Sequence, residues 1–445
     1  MKIAVIIAEY NPFHNGHAYH IQKTAEQSGV THTVAVMSGS FTQRGECAAM
    51  SKFSRAKAAL SGGVDLVLEL PVLWAVAPAY KFALGGVAIA DALGCADILS
   101  FGSECGDVDA LRSAADALSA PETAGLVREK MTNGEGISFA VAREQAVREL
   151  FGEAAAAVLS SPNDILAAEY IAAARRLSSS LQFETVRRTG AKHDSLLPPS
   201  EGGEIASASY IRTLMASAAV GERTADETAS VAAEAEQETT ERDTVSSATG
   251  KAATAREEET GERAEFLRYL PAATTELLLR DMERGHAPAD MGLLERAILC
   301  KLRCMSREQL SQLPEVSEGL ENRLFDAVAH CGTLTELYDT VKTKRYPHSR
   351  IRRIVLSSFL SLPDVAADCT PPYIRILGAN AKGREILSAA RPKLPIVAKY
   401  ADVRGLSEFA REVFALECTA TDLWGMAVKA PLHAGLDMKN KLIML

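Results

Sequence analysis

Long apolar runs are missing from this 445-residue chain. None approaches the roughly 18 residues a membrane-spanning helix requires, and the N-terminal run Ile3–Ile7 ends at Glu9, too soon for a signal peptide. A cytoplasmic protein with no membrane partner is therefore expected. Cysteine lacks pattern: Cys47, Cys95, Cys105, Cys300, Cys304, Cys331, Cys369 and Cys418 show no repeating spacing, which excludes a disulfide framework or a zinc ribbon. Cys300 and Cys304 have no second pair, so no metal site is expected there. Aromatics are absent from residues 221–265. That stretch holds 13 acidic and 5 basic residues and so carries −8 of the total charge of −9. Its Ala, Glu, Thr and Ser cannot bury enough apolar area to offset the entropy of ordering. Residues 217–265 read as an acidic low-complexity insertion or linker. The remainder, nearly neutral, is free to present a local basic face.

What is present is 47% hydrophobic residues, enough for two cores. Upstream of the acidic stretch, short Val/Ile/Leu runs alternate with longer amphipathic segments, the pattern of an α/β fold with a parallel sheet. Strands are predicted at Ile3–Ile7, Thr33–Met37, Leu66–Leu70, Ile98–Phe101 and Phe183–Val186, with helices His17–Gln27, Ser51–Leu60 and Tyr80–Leu93 between them. Residues 1–216 thus form one expected unit. Residues 266–445 form another, mainly helical, with a small α/β appendage built on Tyr373–Gly378 and Leu394–Ala398.

Ligands of open α/β sheets bind at the carboxyl ends of the strands, and the candidate chemistry lies there. His14-Asn15-Gly16-His17 follows the first strand and opens a helix. Two imidazoles around a glycine at a helix N-terminus suit the α- and β-phosphates of a nucleotide, where unpaired N–H groups already favour an anion. Ser38–Glu46 follows the second strand, and Lys52 and Arg55 share a face of the next helix, placed either for a polyphosphate or RNA backbone or simply for water. Gly102 would let a base or ribose lie against bare backbone. Asn163 and Asp164 read as helix caps, or Asn163 as an amide for adenine or ribose. Arg187 and Arg188 follow the fifth strand, where guanidiniums suit phosphates. In Ile205–Arg212, Ser207 or Ser209 caps a helix, or Ser209 and Arg212 form a second phosphate cradle. The richest basic stretch, residues 342–353, holds Lys344, Arg345, Arg350, Arg352 and Arg353 around a tyrosine. It suits a nucleic-acid backbone, or else is a solvated helix start.

The phrases AEYNPFHNGHAYH, SGSFTQRGE, GGVDLVLELP, FGSE, SPNDILAAEYI, KHD at 192–194, IASASYIR, YIRILGANAKGRE and TATDLWGMAV together resemble the bacterial tRNA(Met) cytidine acetate ligases. Ser209 stands where the wider superfamily usually has threonine. The resemblance implies a Rossmann-like nucleotidylyltransferase fold and an ATP-dependent enzyme. Such an enzyme adenylates acetate, then acetylates N4 of the wobble cytidine of elongator tRNA(Met). It implies ATP contacts from Ile7, Ala8, Glu9, Tyr10, Asn11, Pro12, Phe13, His14, Asn15, Gly16, His17, Ala18, Tyr19 and His20, and from Gly102, Asn163, Arg187 and Arg188. His14 and His17 are then expected on the α- and β-phosphates and Arg187 and Arg212 on the departing pyrophosphate, with Mg2+ bridging phosphate oxygens. Lys52, Arg55 and the 342–353 cations are the expected tRNA contacts. An adenylyltransferase for a phosphorylated cofactor precursor and a non-catalytic nucleotide-sensing RNA-binding protein are the competing readings.

Overall fold

The computed structural model describes residues 1–133, 137–188, 203–218, 265–317 and 319–445. The KHD element and all but the ends of the acidic stretch lie outside them. The first strand, β1 (Ile3–Ala8), is followed by helix α1 (Asn15–Ser28), and β2 (His32–Ser38) by α2 (Lys52–Ser61). Then come β3 (Leu66–Leu70), β4 (Ile98–Ser103) and β5 (Gln182–Arg187). All five lie within two residues of expectation: β1 to β4 are largely buried apolar runs, as a helix-covered parallel sheet demands, and β5, at the edge, is partly exposed. α1 stops at Gly29, whose φ of 64° suits glycine.

The strands run in the order β5-β4-β1-β2-β3, all parallel, so the order reverses between β1 and β4. A crevice opens at such a reversal. The last third of the chain does not stand apart. Its strand β6 (Ile374–Ala379) pairs antiparallel with β3, carries β7 (Ile396–Val397) on its other side and also pairs with β8 (Ile443–Met444). The expected α/β appendage is therefore a continuation of the N-terminal sheet, eight strands in all among the described residues. Around it pack helices, in keeping with the mainly helical character expected of residues 266–445: Ala272–Glu283, Glu295–Arg303, Arg307–Ser311, Leu320–His330, Leu334–Val341, His348–Leu360 and Glu408–Trp424.

The join is ionic as well as apolar. Glu69 of β3 faces Arg375 of β6 at 2.8 Å, and Arg375 reaches Asp437 at 2.6 Å. Lys52, fully buried, lies 2.6 Å from Glu69, 2.9 Å from Asp437 and 3.2 Å from Glu417. Burial and then the neighbouring Glu69 push the Glu417 carboxyl up to about 8, so it is protonated at neutral pH. Asp437 is held down at about 2 by Lys52 and Arg375 against the opposing effect of its burial. Two cations thus face two carboxylates and one neutral acid. Arg55, also fully buried, spends its guanidinium on the carbonyls of Met50, Glu9, Ser38 and Gly39. This corrects the expectation for Lys52 and Arg55. The face of α2 they share turns into the molecule, where neither can touch RNA.

Candidate active site

The turn from β1 into α1 sets the geometry. Tyr10 takes a φ of 47°, the next bond, Asn11–Pro12, is cis, and the Asn11 side chain accepts from Ala49 N at 2.8 Å. His14 is the N-cap of α1: its Nδ1 accepts from Gly16 N at 3.0 Å, while His17 Nδ1 accepts from His14 N at 3.2 Å. This reciprocal capping box explains the spacing of the motif. Gly16 is required sterically, since a Cβ there would lie 2.8 Å from His14 Cε1. Because both Nδ1 atoms are acceptors, each neutral ring carries its proton on Nε2. The rings stack with centroids 3.8 Å apart. Burial first, then Arg188 and Arg212, lowers His14 to about 3, and burial with the neighbouring imidazoles and Arg188 lowers His17 well below its usual value. The pair is therefore a neutral two-donor unit.

His20, a turn later, is fixed by hydroxyls. Its Nε2 meets Ser100 Oγ at 2.9 Å, Ser100 Oγ meets Thr24 Oγ1 at 2.7 Å, and Thr24 donates back to the His20 carbonyl at 2.9 Å. Burial, with Arg188 adding to it, lowers His20 to about 4.

These groups open into a cavity of about 340 Å³ at the carboxyl ends of β1, β4 and β5. Of the expected nucleotide contacts, Ile7, Ala8, Glu9, Tyr10, Asn11, His14, Gly16, His17, Tyr19, His20, Gly102, Asn163, Arg187, Arg188, Ser209 and Arg212 line it. Pro12, Phe13, Asn15 and Ala18 do not. Phe13 is wholly buried behind the wall, its ring edge-on to Tyr10 and pressed on Gly62, and the Asn15 side chain donates away to the carbonyls of Glu204 and Arg268. Successive residues of a helix turn by about 100°, so Asn15 and Ala18 point away from the cavity while Pro12 and Phe13 are buried ahead of the helix.

Asn163 and Asp164 are not caps: they stand in the first turn of the helix Pro162–Arg176, whose N-cap is Ser161. Asn163 donates to Glu104 at 2.6 Å, and Asp164 accepts from the backbone N–H groups of Glu104 and Cys105. That latch holds the end of β4 against the helix. Ser207 is the cap of the helix at 208–218, accepting from Tyr210 N at 3.0 Å. Arg212 braces the floor by donating to the Asn11 carbonyl at 3.0 Å and to Ser209 at 3.2 Å. Arg187 and Arg188 are exposed at the cavity mouth. Gln43 and Arg44 also line the cavity. Both belong to the Ser38–Glu46 stretch, which the sequence places at the carboxyl end of the second strand without distinguishing either residue from its neighbours.

The basic stretch lies elsewhere, around the start of His348–Leu360. Lys344 is exposed, and Arg345 is half-buried. Arg350 is tied to the Glu315 carbonyl and Ser317, Arg352 to Glu46, and Arg353 to both oxygens of Glu315 at 2.6 Å. Arg353, 11% exposed at its side chain, is a structural ion pair first. The exposed Lys344 is the freer of the expected RNA contacts.

Such a turn, with neutral paired imidazoles, arginines at the mouth and a glycine ending β4, is the architecture of a nucleotidyl transferase site. The model of the HIGH Nucleotidyl Transferase family matches residues 1–243 and 230–437. A tRNA(Met) cytidine acetate ligase of Acetivibrio thermocellus is 33% identical over 459 residues, covering 100% of each chain. The chain belongs to the tRNA(Met) cytidine acetate ligase family. Among solved structures, Thermotoga maritima TmcAL in its apo form I superposes with a TM-score of 0.85 at 31% identity over 100% of both chains. The same protein bound with alpha-thio ATP gives 0.83, again over 100% of both. Fold and enzyme class of this family member agree with expectation: an α/β nucleotidyltransferase sheet serving an ATP-dependent ligase.

Proposed function

We propose that this chain activates acetate with ATP and transfers the acetyl group to N4 of the wobble cytidine of elongator tRNA(Met). In this reading residues 1–216 carry the nucleotide, residues 217–265 connect, and residues 266–445 carry the RNA. The observation that supports it most is the His14–His17 pair, whose Nε2–H groups are the free donors of a cavity ringed by Arg187, Arg188 and Arg212.

Attack of the acetate carboxylate on the α-phosphorus forms the mixed anhydride and expels pyrophosphate. No enzyme nucleophile is needed. The protein supplies position and fixed donors for the charge that grows on the phosphoryl oxygens. His14 and His17 serve the α- and β-phosphates; Arg187 and Arg212 serve the pyrophosphate; Gly102 and Asn163 receive the nucleoside, with Ser209 beside Arg212. In the second step the cytidine amine attacks the acetyl carbon and AMP leaves, the base being turned out of an anticodon loop at modest cost.

Mg2+ fits as a passenger on the phosphates. Among the described residues no cluster of three or more metal-ligating side chains exists, and Glu9 is the carboxylate in the cavity wall. A hard cation that keeps several waters needs no more than one or two carboxylates. Glu9 would hold it, and it would neutralise phosphate charge.

Lys344, Arg345, Arg350 and Arg352 are the cations assigned to tRNA phosphates. Among the described residues no helix is long and apolar enough to cross a membrane, and a cytoplasmic location, where ATP and tRNA meet, suits the reaction. The test is exchange of label between pyrophosphate and ATP. Exchange that depends on acetate, and that His17→Ala abolishes, is expected. Exchange that requires a phosphorylated acceptor instead would replace the ligase with a cofactor adenylyltransferase.

A further inference from the structure

The loop between β2 and α2 enters the cavity with a cation that the mechanism has not yet used. It is a tight, pre-shaped arch. Phe41 and Cys47 form a bridge at its base, Thr42 N donates to the Glu46 carbonyl at 2.9 Å, and Gly45 N donates to the Thr42 carbonyl at 3.0 Å. Its tip is clamped from two sides. From the nucleotide side, Glu9 accepts from Gln43 N at 2.7 Å. From the helix His348–Leu360, Arg352 pairs with Glu46, and Arg353 donates to the Gln43 carbonyl at 3.4 Å. Gly45 takes a φ of 74° and lies so close to this helix that a Cβ would stand 2.6 Å from the Arg352 carbonyl carbon. Between the two clamps sits Arg44, half-buried and lining the cavity.

We propose that Arg44 is a further binding residue for the outer phosphates of ATP, held at the cavity by the clamps that Glu9 and the helix His348–Leu360 place on either side of it. Three observations carry this. Arg44 opens onto the same cavity as the imidazole pair. The loop reaches it from the end of β2, on the opposite side of β1 from Arg187 at the end of β5, so that cations already assigned to the pyrophosphate and Arg44 flank the imidazole pair from two sides. Lastly, a planar guanidinium on a rigid arch matches phosphate oxygens at low entropic cost. The inference rests on the adenylation reading above and deepens it: Arg44 would meet the outer phosphates from the β2 side, facing Arg187 and Arg212, and the clamp would make the RNA-side helix part of the nucleotide site.

Direct binding of ATP, pyrophosphate and AMP, measured by calorimetry beside the exchange assay, tests it. Arg44→Ala is expected to weaken ATP and pyrophosphate about 10- to 100-fold, the range for a lost charge-assisted contact, and AMP much less. Arg44→Lys should fall between. Gly45→Ala should displace the arch and weaken ATP in the same direction, yet add nothing in the Arg44→Ala background, because the two act through one contact. Unchanged ATP and pyrophosphate binding in Arg44→Ala, or an equal loss for AMP, overturns the assignment. Additive effects of Gly45→Ala and Arg44→Ala overturn the role of the clamp. If the wild-type protein binds ATP but shows no acetate-dependent exchange, the ligase reading fails, while the binding data still decide for or against Arg44.

Discussion

Two cation-rich regions of the molecule behave in opposite ways. Around Lys52 and Arg375 every positive charge is answered by Glu69 or Asp437, and Glu417 completes the set as a neutral acid. Around His14 and His17 the wall carries Arg44, Arg187, Arg188 and Arg212, with Glu9 the lone carboxylate among the lining residues described. The first arrangement spends its charge on joining β3, β6 and the C-terminal turn. The second gives a cavity wall of net positive charge, the surroundings that suit an anion. Closed neutrality marks a joint and a net positive wall marks a binding site, although both are written with the same residue types.

The sharpest way to break the contrast is Lys52→Met. Removing one cation leaves buried carboxylates uncompensated, and urea unfolding should show a loss of about 3–5 kcal/mol. Arg187→Ala, at the exposed mouth, should stay within about 0.5 kcal/mol. In activity the order reverses. His17→Ala removes a donor aimed at developing phosphoryl charge and should slow acetate-dependent exchange by about 10²- to 10³-fold, while its lost share of the capping box costs only about 0.5–2 kcal/mol of stability. Lys344→Glu should weaken tRNA binding severalfold and lower the slope of log K against log salt by roughly one or two, leaving ATP affinity intact; an unaltered salt slope would remove Lys344 from the RNA surface.

The smallest effects come from protons and carry opposite signs in the two regions. His14 and His20 keep folded values of about 3 and 4 against an ordinary 6.5, so the unfolded chain takes up protons first. Their contribution to stability is complete above pH 6.5 and declines as the pH falls below it. Glu417 is raised from 4.5 to about 8, so the folded chain holds the extra proton and stability declines as the pH rises between those values. Glu417→Gln should therefore be close to neutral at pH 6 and relatively stabilising at pH 9, measured by thermal unfolding at both. A variant equally destabilised at both would show that Glu417 is ionised in the fold.

The five parallel strands and the imidazole motif were legible because both are local: apolar runs of the right length, and a glycine between two histidines at a helix start. Lys52 and Arg55 were misplaced because a charged helix face looks the same whether it meets water or buried partners, two of which lie 365 and 385 residues from Lys52, and Glu417 and Asp437 announce nothing in their own neighbourhoods. Pro12, Phe13, Asn15 and Ala18 fell inside a contiguous block whose turn and helix start present only some residues to the cavity, which a residue range cannot express. Arg44 was not legible for a different reason. Its stretch, Ser38–Glu46, stands at the carboxyl end of a strand, but nothing local in the sequence separates a loop arginine that lines the cavity from one that faces water.

The pairing of β6 with β3 has a consequence for how the molecule can be made. The backbone ladder between residues 66–69 and 375–379, the Lys52 contacts to Glu417 and Asp437, and the Arg352 contact to Glu46 all join chain before residue 218 to chain after residue 265. Two separately synthesised pieces, divided anywhere between those positions, therefore each lack an edge that the other supplies, and co-expression should let them dock into a working whole that neither reaches alone.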